Sequence, residues 1–320
     1  MESLKICFAH HLSLGYYGGG EKWLISTAKE LIKRGHDVEI CALPFLLDGK
    51  PKINPKNVLE DIPYTESLHH NIKADVVYMT YNPLSWLNFK TSRPRIAGIH
   101  AHSYWQKPHL RYGLLPNIAN IANKFTSYFE LRRFNAIHAV TNIYPINHPK
   151  VFYIPNFVDS ETFKPCLPKA EKFSVAFASR KVWQKGWDVF NEVTRNLDFD
   201  VLISGSVPEK YMPHFFSEAH VTVVPSRVDT FGLTIVESMM CKTPVITTPL
   251  PTHKALELPA FYATHPKEFM EKIYTIESLW ESRREYEELS NLCRISSLRF
   301  DKKRIMDRLE NMFKEVAQNL

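Results

Sequence analysis

An α/β protein with two doubly wound parallel sheets is expected from three features of this 320-residue chain. Short apolar runs alternate with helical stretches, the pattern of parallel strands covered by crossover helices. That pattern is interrupted by a segment carrying prolines and charges, and then begins again. The length suits two domains of roughly 100–200 residues each. A hydrophobic content of 44% with 23% charged residues supplies cores within an ordinary surface, which excludes disordered, collagen-like and disulfide-scaffold classes.

Taken in order, strands are expected at Lys5–Ala9, Asp37–Ala42, Ala74–Thr80, Arg95–His100, Ala136–Thr141 and Val151–Ile154. Gly20–Arg34 has helical periodicity and stops at Gly35, a residue that commonly ends helices. Asn117–Arg133 reads as a second amphipathic helix. The seam falls around Asn156–Lys172, which contains Pro165 and Pro168. Strands then resume at Phe173–Ala178, Val201–Ser204, Val221–Val224 and Pro244–Thr247. After Lys267 the chain is helical, and Asp301–Val316 alternates apolar and charged positions like a docking helix. The domains expected are 1–160 and 161–300, with 301–320 a helix that packs back on the first.

The formal net charge of +6 permits an anionic partner without requiring one. No stretch of about 18 apolar residues predicts a spanning helix, and the first residues lack the layout of a secretory leader. Cys7, Cys41, Cys166, Cys241 and Cys293 form no CxxC pair, so neither disulfides nor a zinc ribbon is expected. Together these features lead to a cytoplasmic expectation. Basic and apolar residues mix over His109–Arg133, where core packing is the expected role and peripheral contact at the inner membrane face the alternative.

Three local patterns imitate other chemistry. Gly15–Trp23 resembles a phosphate loop, but Glu21 separates Gly20 from Lys22, and Trp23 stands where a magnesium-binding hydroxyl is needed. Asp198-Phe199-Asp200 is a formal DxD, yet it precedes a strand, whereas ligands in open α/β sheets gather at strand carboxyl ends. His100-Ala101-His102 has no acidic or cysteine cluster nearby to complete a metal site.

The pattern that carries chemistry lies in the second half. Arg180 and Lys185 follow its first strand, beside the helix that starts at Trp187. Pro225–Glu237 follows another strand and enters another helix, with Gly232 at the helix start. A glycine there lets backbone amides approach a phosphate, and the helix dipole favours the anion. Asp229 and Glu237 are eight positions apart, roughly 12 Å at the helical rise, comparable with the span from a ribose to a sugar across a diphosphate. Carboxylates suit hydroxyl-rich ligands because each oxygen accepts hydrogen bonds. Asp229 is alternatively a helix N-cap, whereas Glu237, among Ile235, Val236, Met239 and Met240, would be costly to bury idle.

These motifs, in this order, resemble glycosyltransferase family 4, retaining enzymes of the GT-B fold that use nucleotide-diphosphate sugars. Gly18-Gly19-Gly20-Glu21 and the Leu31–Val38 stretch match that family's opening glycine loop and first helix. Ile154–Asp159 with Phe163–Pro165 matches its interdomain signature, although Phe157 stands where glycine is usual. Arg180 with Lys185-Gly186 matches its diphosphate pair. Gly205–Pro208, Phe216, Ala219 and Pro225-Ser226 follow its approach to the donor motif. Asp229 to Glu237 matches its E-x7-E motif, with Asp in the first position, and Cys241–Ile246 continues it.

The resemblance implies a metal-independent hexosyltransferase with no cofactor beyond its nucleotide-sugar co-substrate. The second domain would hold the nucleotide, the first the acceptor, with chemistry in the cleft between. Arg180 and Lys185 would stabilise the leaving diphosphate, Glu237 would bind the ribose and Asp229 the transferred sugar. Phe231, Gly232 and Leu233 would lend backbone donors, and Gly205 would join them in holding the donor. His100 would contact the donor sugar, with His102 as the fallback, while Gly19 and Gly20 would bring backbone close to the diphosphate and acceptor. The acceptor could be a saccharide, a lipid-linked group or a protein, and nucleic acid has no aromatic-interleaved basic stripe to support it. The chain also departs from the family. Asp229 is a methylene short, one strand-and-loop unit is missing between Lys185 and Gly205, and Thr252–Ala255 replaces a Gly-Gly-x-x-Glu run. A catalytically weak sugar-nucleotide-binding or scaffolding protein, or a nucleotide-sugar epimerase on the same fold, are the alternatives.

Overall fold

The computed structural model describes residues 3–46, 49–100, 114–143, 146–195, 198–205 and 207–318, without the side chains of 114–117, 119 and 120. The chain divides into two units, Met1–Ile154 with Met306–Leu320, and Pro155–Ile305.

The first unit contains β1 (Lys5–His10), β2 (Asp37–Ala42), β3 (Tyr64–Glu66), β4 (His70–Asn71), β5 (Val76–Thr80), β6 (Phe89–Lys90), β7 (Arg95–Ile99), β8 (Ala136–Ala139) and β9 (Val151–Tyr153). Its helices are α1 (Gly19–Lys33), the single turn α2 (Lys56–Leu59) and α3 (Leu114–Glu130). Seven strands form one parallel sheet in the order β3-β2-β1-β5-β7-β8-β9, while β4 and β6 pair separately. Central strands of such a sheet are covered on both faces, which is why Ile6–Ala9 and Val76–Met79 are unbroken apolar runs, all buried. The Phe8 ring packs against Tyr78 and Phe313, with centroids 5.4 and 5.9 Å away.

The second unit contains β10 (Ser174–Phe177), β11 (Asp200–Ile203), β12 (Val221–Val224), β13 (Val245–Thr247) and β14 (Phe261–Tyr262). Its helices are α4 (Trp187–Thr194), α5 (Met212–Glu218), α6 (Leu233–Met240), α7 (Pro251–Lys254), α8 (Pro266–Glu281) and α9 (Arg284–Ser297). The five strands are all parallel, in the order β11-β10-β12-β13-β14. Phe177, Phe190, Val221, Phe269 and Ile273 form the core beneath α4 and α8. The last helix, α10 (Lys302–Gln318), belongs to the first unit from Met306 onward. There Asp307 and Glu310 take the Arg34 guanidinium at 2.6 and 2.8 Å.

Each sheet reverses its winding once. In the first unit the chain passes from β1 to β2 and β3 on one side, then returns to place β5 on the other. In the second it passes from β10 to β11, then places β12 on the opposite side of β10. The loops leaving the two strands at such a point diverge and open a crevice at the carboxyl edge, where α/β proteins bind ligands.

One expectation fails outright. The apolar face of α3 is not in the core: Ile118, Ile121, Phe125, Tyr128 and Phe129 are exposed, while Ser127 and Glu130 are buried. The inner face is held by polar bonds, with Glu130 accepting from the Tyr81 hydroxyl at 2.9 Å and from the Leu84 amide.

Two wholly buried histidines make the fold acid-sensitive. Burial lowers His138 from 6.5 to about 4 and His220 from 6.5 to about 3. Between those values and 6.5 the unfolded chain binds more protons than the folded one, so stability falls as pH drops through this window. The urea midpoint should decline as pH falls from 6.5 toward 4, and His138→Gln should flatten the decline.

Candidate active site

At the switch point of the second sheet, the loops after β10 and β12 are laced together. The amide of Arg227 donates to the Gln184 carbonyl at 2.9 Å, and that of Val228 to the same oxygen at 3.2 Å. The Arg227 guanidinium donates to the Trp183 carbonyl and grips Asp188 with both terminal nitrogens, at 2.6 and 2.8 Å. Gly186 makes this approach feasible. Its φ is +71°, and a Cβ there would lie 1.9 Å from the Pro225 carbonyl oxygen.

Lys185 ends the helical turn Trp183–Lys185 and reaches across to Asp229, Nζ to Oδ2 at 2.9 Å. Asp229 lies before α6, with its backbone carbonyl accepting from Thr252 Oγ1 at 3.0 Å. Burial alone would raise the Asp229 carboxyl, but His253 and the Lys185 charge outweigh it and hold the group well below the usual carboxylate range. His253 is fixed by its other nitrogen. The Thr247 hydroxyl donates to the Val224 carbonyl, so at 2.8 Å it accepts from His253 Nδ1, which also points at the Thr248 carbonyl. The His253 Nε2 edge therefore faces Asp229 Oδ2, 3.6 Å away. Arg180 is exposed at the carboxyl edge and pairs with no carboxylate among the described residues.

Gly232 caps α6 at φ +97°, and a Cβ would crowd Ile235, His253 and Leu256 at 3.1–3.3 Å. The first amides of α6 have no intrahelical acceptor, so Leu233 and Thr234 present donors at the crevice. Phe231 is buried edge-on against Phe300, so it can offer only its backbone. Glu237 is half-buried. Its neighbours Ile235, Val236, Ser238, Met239 and Met240 are buried, but Glu237 lies on the open side of α6 with Leu233 and Thr234. Because α6 begins at Leu233, helical rise does not set the Asp229–Glu237 separation. Gly205 follows β11 at φ +39°. Asp198 and Asp200 sit at the opposite, amino end of β11, near Lys172 at 3.6 and 3.4 Å.

In the first unit, the switch point between β1 and β5 holds a buried polar cluster. His10 Nε2 meets Glu21 Oε1 at 2.9 Å, and His10 Nδ1 meets Thr80 Oγ1 at 2.6 Å. Glu21 Oε2 accepts from the Gly18 amide at 2.7 Å, which fixes the start of α1. Burial pushes Glu21 up, but the His10 bond and charge together with the Gly18 amide lower it overall. Gly19 and Gly20 are exposed, and a Cβ on either would meet nothing within 4 Å. Nothing in the fold itself requires glycine at those two positions.

His100, just after β7, is oriented by a chain of hydrogen bonds. The Ile154 carbonyl can only accept, so His138 carries its hydrogen on Nε2, 2.8 Å away. His138 Nδ1 then accepts from the Tyr78 hydroxyl at 2.6 Å, and the Tyr78 oxygen accepts from His100 Nε2 at 2.7 Å. Nε2 is thereby the nitrogen of His100 that donates to Tyr78. Trp23 packs on the ring with centroids 4.2 Å apart. Tyr78 fits only because residue 98 is glycine, since a Cβ there would lie 2.1 Å from its hydroxyl. His102 lies outside the described residues. Sequence reasoning missed Gly98 and His138 and gave Gly186 and His253 no partners, since these roles depend on neighbours distant in the chain. Among the described residues no three His, Cys, Asp or Glu side chains converge as metal ligands, and no helix is long and apolar enough to cross a membrane.

Residues 188–291 match the family model Glycosyl transferases group 1. The second unit thus carries a group 1 glycosyltransferase domain. A glycosyltransferase from Rickettsia africae superposes with a TM-score of 0.76 at 16% identity, covering 99% of both chains. Sucrose-phosphate synthase from Thermosynechococcus elongatus gives 0.73 at 13% identity, over 97% of this chain and 98% of that one. Anabaena HepE, in complex with UDP and glucose, gives 0.71 at 17% identity, over 97% and 99%. These likenesses establish the GT-B fold. No curated protein sequence matches the chain.

Two glycine substitutions separate fold from ligand. Gly186→Ala should destabilise the protein by about 3 kcal/mol or more, through strain and the clash with Pro225. Gly20→Ala should leave stability unchanged or raise it by about 0.5–1 kcal/mol, because the helix gains a better former. Urea unfolding of both variants checks the contrast.

Proposed function

We propose that the protein is a glycosyltransferase that moves a hexosyl unit from a nucleoside-diphosphate sugar to an acceptor hydroxyl, with retention of configuration and without a metal. The observation that carries this reading is the convergence of the Arg180–Lys185 loop and the Gly232 helix start at one switch point. Two cations beside uncommitted amides suit a diphosphate. The domain match agrees, as do the ligands of relatives with this fold: HepE structures contain UDP and UDP-glucose.

In this reading Arg180 and Lys185 take up the charge that develops on the leaving diphosphate, and the amides of Phe231, Gly232 and Leu233 add hydrogen bonds. Glu237, on the open face of α6, serves the ribose, and Gly205 flanks the nucleotide. Asp229 has a double duty, holding Lys185 in place and offering an oxygen to a sugar hydroxyl. His100, held in place by Tyr78 and Trp23, is assigned to a sugar hydroxyl. Gly19 and Gly20 admit a ligand close to the backbone.

The test is a panel of nucleotide sugars with candidate acceptors, scored by released nucleoside diphosphate and by product anomeric configuration. Turnover should survive EDTA, and Arg180→Ala should lower it by about 10²–10³-fold, the size expected for one lost anion-stabilising donor. Tight nucleotide binding without turnover on any acceptor would point to a binding or scaffolding protein. Loss of activity in EDTA would sink the metal-free mechanism, and an inverted product would sink retention.

A further inference from the structure

Helix α3 is amphipathic in the inverse sense. Ile118, Ile121, Phe125, Tyr128 and Phe129 are each between 50% and 69% exposed, and their spacing places them on one helical face. The face toward the unit carries buried Ser127 and Glu130. A helix that packed for the sake of the core would be turned the other way. Contiguous exposed apolar patches of this kind mark interaction surfaces.

The surrounding charges indicate what covers it. Residues 114–135 contain Lys124, Arg132 and Arg133 as cations and Glu130 as their one carboxylate. Lys124, Arg132 and Arg133 are exposed, and Glu130 is turned inward to Tyr81 and Leu84. Arg132 lies over the Tyr128 ring at 5.0 Å and Arg133 over the Trp86 ring at 5.1 Å. Exposed Leu84 and Leu87 lie in the turn that Glu130 anchors.

We propose that the outward face of α3 docks on an anionic lipid bilayer. The aliphatic and phenylalanine side chains enter the acyl boundary, Tyr128 sits at headgroup level, and Lys124, Arg132 and Arg133 meet the headgroup phosphates. A second copy of the chain is a poorer fit, because a symmetric contact would press like cations together. A nucleic acid would satisfy the cations and leave the apolar stripe in water.

The experiment is sedimentation of the full chain with vesicles of phosphatidylcholine alone or mixed with phosphatidylglycerol, without any nucleotide sugar. Its outcome is therefore independent of the enzymatic reading. The protein should pellet with the anionic vesicles and much less with the neutral ones. Ile121→Ser/Phe125→Ser should lower the bound fraction about tenfold while keeping the thermal midpoint of the parent. Arg132→Gln/Arg133→Gln should weaken binding chiefly at low salt. Ile32→Ser, an exposed apolar position on α1, should bind like the parent. Equal pelleting with both vesicle types, or full retention by the Ile121/Phe125 variant, would overturn the proposal. So would a stable dimer in solution that this variant dissolves, since the face would then be a contact between copies.

Discussion

Pro225 points its carbonyl oxygen into the space where a side chain on residue 186 would begin, 1.9 Å from that Cβ position. Everything at the carboxyl edge of the second sheet depends on that space staying empty. With Gly186 in place, the loop after β10 lies against the loop after β12, and Gln184 can receive two amides from it. Lys185, one residue earlier, is then within reach of Asp229. Lys185 and Asp229 come from different loops, so the ion pair spans the close backbone approach. Gly232 plays the matching part on the other loop, where its left-handed conformation turns the chain into α6 with the first amides facing the crevice.

The first unit uses hydrogen-bond direction where the second uses close contact. The Ile154 carbonyl sets the hydrogen on His138, which sets the Tyr78 hydroxyl, which sets His100. Each member is specified because the one behind it has a single chemical option. The low proton affinity that burial imposes on His138 keeps this order intact near neutral pH. Gly98 is the steric condition for the arrangement, as Gly186 is for the other unit.

Much of this architecture is legible in the sequence because parallel strands leave an unmistakable trace. Val221–Val224 and Asp37–Ala42 form where the apolar runs predict them, and the glycine at 35 ends α1 as expected. The strands Tyr64–Glu66, His70–Asn71, Phe89–Lys90 and Phe261–Tyr262 escape, since two or three residues at a sheet edge carry no period. The candidate site is legible as residue types and not as partners. Arg180, Lys185, Asp229 and Gly232 stand out by spacing, whereas His253 is visible only as a departure from a familiar motif. Its link to Asp229 needs the turn after β13. Helix α3 shows a further limit: periodicity reveals that a face is apolar, but only the bonds of Glu130 reveal which way it points.

That reversed helix has a thermodynamic consequence. Burial of apolar surface carries a large heat-capacity change, and hydrogen bonds of buried polar groups contribute with the opposite sign. Among its described side chains α3 is bonded to the unit through Glu130 rather than through its phenylalanines, so lifting it from the unit would release little heat-capacity increment. Covering its outer face would do the reverse and give a clearly negative change. The same helix is therefore nearly silent calorimetrically on one side and conspicuous on the other, and its hold on the unit should weaken far less on cooling than its hold on whatever covers it.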